Sequence, residues 1–222
     1  MKTTRIGLVV GGVTLLLASA ASASNMAFAL RLQLGAPGRQ ELRFVALPYQ
    51  YVPATAEELC ADLGGTAAAA EVVRWEEATS KFVVHPCGTG TEDFPLAEGM
   101  AYGVRNALGA AIDGLLVGTH DPAFAFSIAA TAGSSLSWVS LPYHAAIADR
   151  GGTPGVVDAE DLCLAIGSGT VFAIVRWDQG AGAYAAHVCG SVFDEGFPLT
   201  VGEGYGLVNA DGQTISWTPE HY

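Results

Sequence analysis

Positive charge is scarce in this chain: ten Lys and Arg stand against 22 Asp and Glu over 222 residues, for a formal charge of −12 and a pI near 4.6. Nucleic-acid binding draws its affinity from cations that displace counterions, and a protein of this sign is repelled instead. No nucleic-acid partner is expected. Charge of either sign is thin, at 14% of residues, while 50% are hydrophobic and mean hydropathy is +0.35. That balance excludes a disordered polymer and leaves enough apolar side chain for a core. Catalytic signatures are missing as well. The sequence has no Gly-x-Ser-x-Gly elbow, no His-Glu-x-x-His and no glycine-rich phosphate loop with its lysine. No cofactor and no catalytic residue is assigned.

Long apolar runs are absent except at the start. Lys2 and Arg5 form a basic region, residues 6–17 an uncharged apolar run, and Ala21-Ser22-Ala23 a small-residue cleavage site. This is the pattern of an export signal over residues 1–23, cut after Ala23. The run is shorter than the roughly 20 residues that cross a bilayer, so no membrane span is expected once the signal is removed. No Cys follows it to accept a lipid, and Lys81 becomes the only lysine. The reading is an acidic, exported protein, periplasmic or extracellular.

What is present in abundance is repetition. Leu47-Pro48-Tyr49 returns as Leu141-Pro142-Tyr143, and Ala56-Glu57-Glu58-Leu59-Cys60 as Ala159-Glu160-Asp161-Leu162-Cys163. Val73-Arg74-Trp75 matches Val175-Arg176-Trp177, His85-Pro86-Cys87 matches His187-Val188-Cys189, and Phe94-Pro95-Leu96 matches Phe197-Pro198-Leu199. Tyr102-Gly103 matches Tyr205-Gly206, Ala27-Phe28-Ala29 matches Ala123-Phe124-Ala125, and His120 falls opposite His221. The expected organisation is two modules, 24–120 and 121–222, with nine extra residues of the second copy in a loop within 145–157.

Each module reads as β-β-α-β-β-β-β, an α+β fold of mainly antiparallel strands with one short helix. In the first copy, 28–34 and 42–47 are strand-like. Thr55 and Glu58 have capping-box spacing, Leu59, Cys60 and Leu63 share a helix face, and Gly64 ends the helix. Two hairpins are expected to follow, 70–75 with 82–85 and 99–105 with 112–117. The second copy repeats the helix with Asp158 as cap, Leu162, Cys163 and Ile166 as face and Gly167 as stop. Two copies of this length cannot close a propeller ring. The expected arrangement is two domains in tandem, every core element lying within one of them.

The four cysteines divide evenly between the copies. In an exported chain they are oxidised, and of the three possible pairings the repeat selects Cys60–Cys87 with Cys163–Cys189. The alternative is a pair of metal sites, Cys60, His85, Cys87 and His120 in one copy and Cys163, His187, Cys189 and His221 in the other. Trp75, Trp177, Tyr102 and Tyr205 are read as core anchors, with Trp75 and Trp177 as a possible ligand platform for sugar rings. Glu92-Asp93 and Asp194-Glu195 are solvated acidic loops, too few ligands to cage calcium alone. His144, opposite Gln50, is a surface residue.

Taken together, these motifs, with the Ser24-Asn25-Met26-Ala27-Phe28 start and the Trp217-Thr218-Pro219-Glu220-His221-Tyr222 end, resemble a group of uncharacterised exported bacterial proteins built of two similar modules. The resemblance spans the mature chain and implies address and domain count. It transfers no activity and no functional residue. The copies depart locally where Met100-Ala101 stands opposite Glu203-Gly204. The functional expectation is a non-catalytic envelope or extracellular protein, binding or structural, with a protein or polysaccharide partner. A carbohydrate-binding protein is the alternative, and a hydrolase of unrecognised type the third reading, whose sign would be paired carboxylates at a cleft.

Overall fold

The computed structural model describes residues 25–32, 42–47, 50–51, 53–107, 112–119, 124–130, 136–141, 158–167, 169–193, 196–200, 202–209 and 211–219. The expected export signal over residues 1–23, His120, His144, Asp194-Glu195, His221 and the insertion expected within 145–157 lie outside them. In chain order the elements are β1 (Asn25–Leu32), β2 (Leu42–Ala46), β3 (Gln50–Tyr51), α1 (Ala56–Asp62), β4 (Ala69–Glu76), β5 (Lys81–Pro86), β6 (Ala101–Asn106) and β7 (Ile112–Thr119). Then come β8 (Phe126–Ile128), β9 (Leu136–Ser140), α2 (Ala159–Ile166), β10 (Val171–Asp178), β11 (Ala183–Val188), β12 (Gly204–Asn209) and β13 (Ile215–Trp217). The fold is thus mostly antiparallel β-sheet with two short helices.

Both helices start on a side-chain cap. Thr55 Oγ1 accepts from Glu58 N at 3.3 Å, and Asp158 Oδ1 accepts from Asp161 N at 2.9 Å. The return half differs by one methylene. Asp161 reaches back to the cap amide of Asp158 at 3.2 Å, whereas the longer Glu58 overshoots it and takes Ala54 N at 2.6 Å. The expected box is therefore complete only in α2. Gly64, at φ 109°, follows α1 in a left-handed conformation. The β4–β5 turn puts Ser80 at φ 53°, where the β10–β11 turn has Gly182 at 62°.

Strand order is β2-β6-β4-β5 in one four-stranded sheet and β9-β12-β10-β11 in another, every pairing antiparallel. Two smaller sheets have the orders β1-β7-β3 and β8-β13. The expected second hairpin does not form. Both edges of β6 are already taken by β2 and β4, so β7 crosses away and pairs with β1 and β3. In the same way β12 lies between β9 and β10, and β13 pairs with β8.

Two cores lie on the helix-bearing faces of these sheets. Val45, Leu59, Cys60, Val72, Tyr102 and Leu116 belong to one; Ile128, Leu162, Cys163, Ile174, Tyr205 and Trp217 to the other. A third cluster corrects the expectation that each core element stays within one module. Leu42, Phe44, Val73 and Ala101, from the opposite face of the first sheet, pack with Trp138 of the second, and Trp75, Phe82, Val175 and Trp177 border them. Each large sheet therefore carries buried residues on both faces, with the edge strands β5 and β11 mostly exposed.

Candidate functional site

Two places combine buried polar chemistry or open volume with sequence-matched residues. The first is the joint between each helix and the strand that follows the Arg-Trp segment. His85 on β5 is fully buried, and its Nε2 lies 2.7 Å from Glu57 Oε2 in the first turn of α1. Its Nδ1 lies 2.8 Å from the Thr91 carbonyl oxygen. A carbonyl only accepts, so Nδ1 carries its hydrogen, and the close approach of Nε2 to a carboxylate needs a proton between them. Gly88 N donates to the same Glu57 oxygen at 2.8 Å. The second joint repeats the glutamate contacts. His187, also fully buried, has Nε2 at 2.8 Å from Glu160 Oε2, which accepts from Gly190 N at 2.8 Å. Glu57 is 39% exposed and Glu160 only 11%, so the second histidine–glutamate contact is the better shielded from water.

Both joints are closed covalently. Cys60 is bonded to Cys87 and Cys163 to Cys189, with Cα atoms 5.8 and 5.6 Å apart, and free cysteines are absent. The pairing follows the repeat. Of the metal sets expected as the alternative, the structure brings together Cys60, His85 and Cys87, and Cys163, His187 and Cys189, with the sulfurs engaged to each other. His120 and His221 fall outside the described residues. In their place stand Glu57 and Glu160: one ligand atom each from Glu57, Cys60 and His85 lie within 4.8 Å of one another, as do those of Glu160, Cys163 and His187. The sequence places both glutamates only within the repeated Ala-Glu-x-Leu-Cys motif and gives them no role of their own. The available signal was the recurrence of Glu at the second helical position in both copies, next to the recurrent buried His.

The second place is the junction of the two large sheets. Phe44 stacks on Trp138, and Phe82 and Tyr184 flank the pair with centroids 5.8 Å from Phe44 and 6.0 Å from Trp138 respectively. Val45 bridges to Glu203 and Val139 to Met100; Ala46 N donates to Gly202 O at 2.9 Å, and Ser140 N to Gly99 O at 2.8 Å. On one side of this junction, Arg43 reaches Glu203 at 3.1 Å and a cleft of about 220 Å³ remains, lined by Arg176, Trp177 and Gln179. On the other side a groove of about 490 Å³ opens between Trp75, Met100, Phe124, Phe126, Ser127 and Trp138, rimmed by Glu76, Glu77 and Glu98.

Trp75 and Trp177 are half-buried at this junction and belong to neither helix-side core. Trp75 Nε1 donates to Leu136 O at 2.8 Å. Tyr102 and Tyr205 are fully buried, their hydroxyls accepting from Ala97 N at 2.6 Å and Thr200 N at 2.5 Å. Burial is the largest cause holding both phenols above their ordinary pKa, and at Tyr205 the neighbouring Glu203 carboxylate adds to it. Asp93 Oδ1 accepts from Glu57 N at 3.0 Å, which commits it to the helix start. Among the described residues no helix is long and apolar enough to cross a membrane.

No protein-family model, no curated protein and no solved structure matches the chain.

Proposed function

We propose that the chain is an exported, non-catalytic binding protein made of two copies of one module, 24–120 and 121–222, in keeping with the exported two-module group it resembles. The observation that carries this reading is the reciprocity of the junction. Val45 and Val139 are matched positions, as are Met100 and Glu203, Ala46 and Ser140, Gly99 and Gly202, and Phe44 and Trp138. The contacts Val45–Glu203 and Val139–Met100 exchange under this matching, as do Ala46–Gly202 and Ser140–Gly99. Phe44 on Trp138 maps onto itself. This is the pattern of an isologous interface, one patch packed on its own copy. The two disulfides accord with export.

Such an interface makes two equivalent grooves, and here they have diverged. Arg43, Glu203 and Gln179 crowd one, while Ser137, Met100 and Glu77 at the matched places leave the other open. The open groove falls within the size range of small-ligand sites, about 300–1,000 Å³, and is the ligand site in this reading. Its lining by the partly exposed rings of Trp75 and Phe124 beside three glutamates favours a carbohydrate as the second, narrower reading, aromatic rings supporting sugar faces while carboxylates accept from hydroxyls.

Ser127 is exposed on β8 and lines the groove, so Ser127→Trp fills it without opening the core. Intrinsic tryptophan fluorescence titrated with a panel of oligosaccharides and secreted polymers tests the proposal. A ligand bound by the parent protein and lost in Ser127→Trp at unchanged thermal stability supports it. Binding that survives the block moves the site elsewhere, and steady release of cleaved glycan would replace this reading with a hydrolase.

A further inference from the structure

From the helix–strand joints we infer a metal site hidden by the disulfide: when Cys60–Cys87 is reduced, Cys60, Cys87, His85 and Glu57 form a four-ligand site for zinc, and Cys163, Cys189, His187 and Glu160 form a second. The inference stands apart from what the groove holds. It rests on the convergence of a carboxylate oxygen, an imidazole nitrogen and a cysteine sulfur within 4.8 Å at both joints, with the partner cysteine covalently attached to that sulfur. Two thiolates, one imidazole and one carboxylate make a tetrahedral set of the kind a borderline-soft d¹⁰ cation takes.

The orientation of His85 supplies the second half of the argument. A metal-ligating imidazole usually donates its other N–H to a carbonyl or carboxylate, which fixes its ring. His85 Nδ1 does this to Thr91 O at 2.8 Å, leaving Nε2 directed at Glu57 Oε2. Glu57 Oε2 is itself oriented by Gly88 N at 2.8 Å, and Glu160 Oε2 by Gly190 N at 2.8 Å. The glutamate oxygen that would meet the metal is already held by a glycine N–H at both joints, and at the first joint the imidazole is fixed from behind as well.

The chemistry balances with a dithiol as reductant. One thiolate of the dithiol attacks the outer cysteine sulfur, Cys87 or Cys189, both of which are more exposed than their partners. The S–S bond breaks and its electron pair leaves on Cys60 or Cys163. The second thiol of the reagent resolves the mixed disulfide, so the reagent departs as its own disulfide and the protein gains two electrons and two protons. Zinc then displaces the two thiol protons and the proton between imidazole and carboxylate. The metal reconnects helix to strand where the disulfide did, so reduction exchanges one cross-link for another.

The test uses the full-length exported chain, reduced by a phosphine that does not compete for zinc. Two zinc ions per reduced chain are expected, against none on the oxidised chain. Cobalt(II) as a spectroscopic substitute is expected to show thiolate charge transfer and the intense visible bands of a tetrahedral site. Glu57→Gln should weaken one of the two sites by at least about 10-fold while the other is unchanged. His85→Ala should reduce the stoichiometry to one. Because the reduced parent protein is measured alongside, a variant that fails to fold leaves the test intact. Zinc bound equally well in strong urea, cobalt spectra without tetrahedral bands, or a stoichiometry indifferent to both substitutions would overturn the inference.

Discussion

Phe44 and Trp138 stack with ring centroids 3.8 Å apart and planes inclined by 14°. Each is the third residue of the first strand of its large sheet, and each is 2% exposed. Neither belongs to a helix-side core; both lie in the cluster that joins one sheet to the other. Truncating Phe44 or Trp138 to Ala should cost about 3–5 kcal/mol, because neither sheet can collapse into the gap while its other face stays clamped by a helix. The double variant should cost less than the sum of the singles by about 0.5–1.5 kcal/mol, the part owed to the stack itself. Urea unfolding of the four proteins measures both. Additive losses would mean that the rings contribute area and no mutual contact.

Gly204 offers a cleaner test of the same junction. A Cβ built there would lie 2.2 Å from Ala101 Cβ, with Phe44 Cβ at 3.4 Å. Gly204 is not at positive φ, so alanine is acceptable to the backbone and the damage is steric. Gly204→Ala should lose about 1–3 kcal/mol. Ala101 and Gly204 occupy matched positions, so adding Ala101→Gly moves the methyl across the junction and should restore most of the loss. A thermal melt of the double variant no better than that of Gly204→Ala alone would show that the sheets are not packed reciprocally.

Much of this fold can be read from local chemistry because local chemistry causes it. Thr55 and Asp158 announce the helix starts, Gly64 an end, and the even division of Cys60, Cys87, Cys163 and Cys189 their pairing. What could not be read is long-range. Alternation in β7 marks which of its residues turn inward, but a period of two does not name a neighbouring strand. The assumption of a hairpin with β6 therefore failed in the same way in both copies. Leu42 and Phe44 look like half of an ordinary strand pattern until Val45 is seen to face a core as well. Apolar residues on both faces of a strand are the signature of a sheet covered twice, and the second cover lies about ninety residues away. The Glu57–His85 pair was missed for a similar reason: a helix-start glutamate already has a sufficient explanation in the helix dipole.

The two histidine–glutamate pairs should differ in their contribution to stability. Glu160 is largely buried and accepts from both His187 and Gly190 N, whereas Glu57 makes the matched contacts from a half-exposed position. Glu160→Gln keeps the shape and removes the charge, and should cost about 1.5–3 kcal/mol, as for hydrogen bonds to ions away from water. Glu57→Gln should cost less, since solvent screens that pair. Equilibrium unfolding of the two oxidised variants gives the comparison. Equal losses, or a larger one at Glu57, would contradict this ranking.

Alkaline pH should unfold the protein through its buried phenols. Tyr102 and Tyr205 are held above their ordinary pKa of 10.0, first by burial and at Tyr205 also by Glu203. The folded state therefore keeps these protons after the unfolded chain has begun to release them. Fewer protons on the unfolded state mean that stability falls as pH rises past about 10, by up to about 1.4 kcal/mol per pH unit for each such tyrosine. Below that value both states hold the proton and the contribution is constant. Tyr205→Phe loses the hydroxyl that accepts from Thr200 N, so it should be less stable than the parent at neutral pH by about 1 kcal/mol. Above pH 10 its stability should decline less steeply, by about one proton. Urea midpoints measured from pH 8 to pH 11 separate the two effects. Parallel curves for parent and variant would mean that the Tyr205 hydroxyl ionises as readily in the folded chain as in the unfolded one.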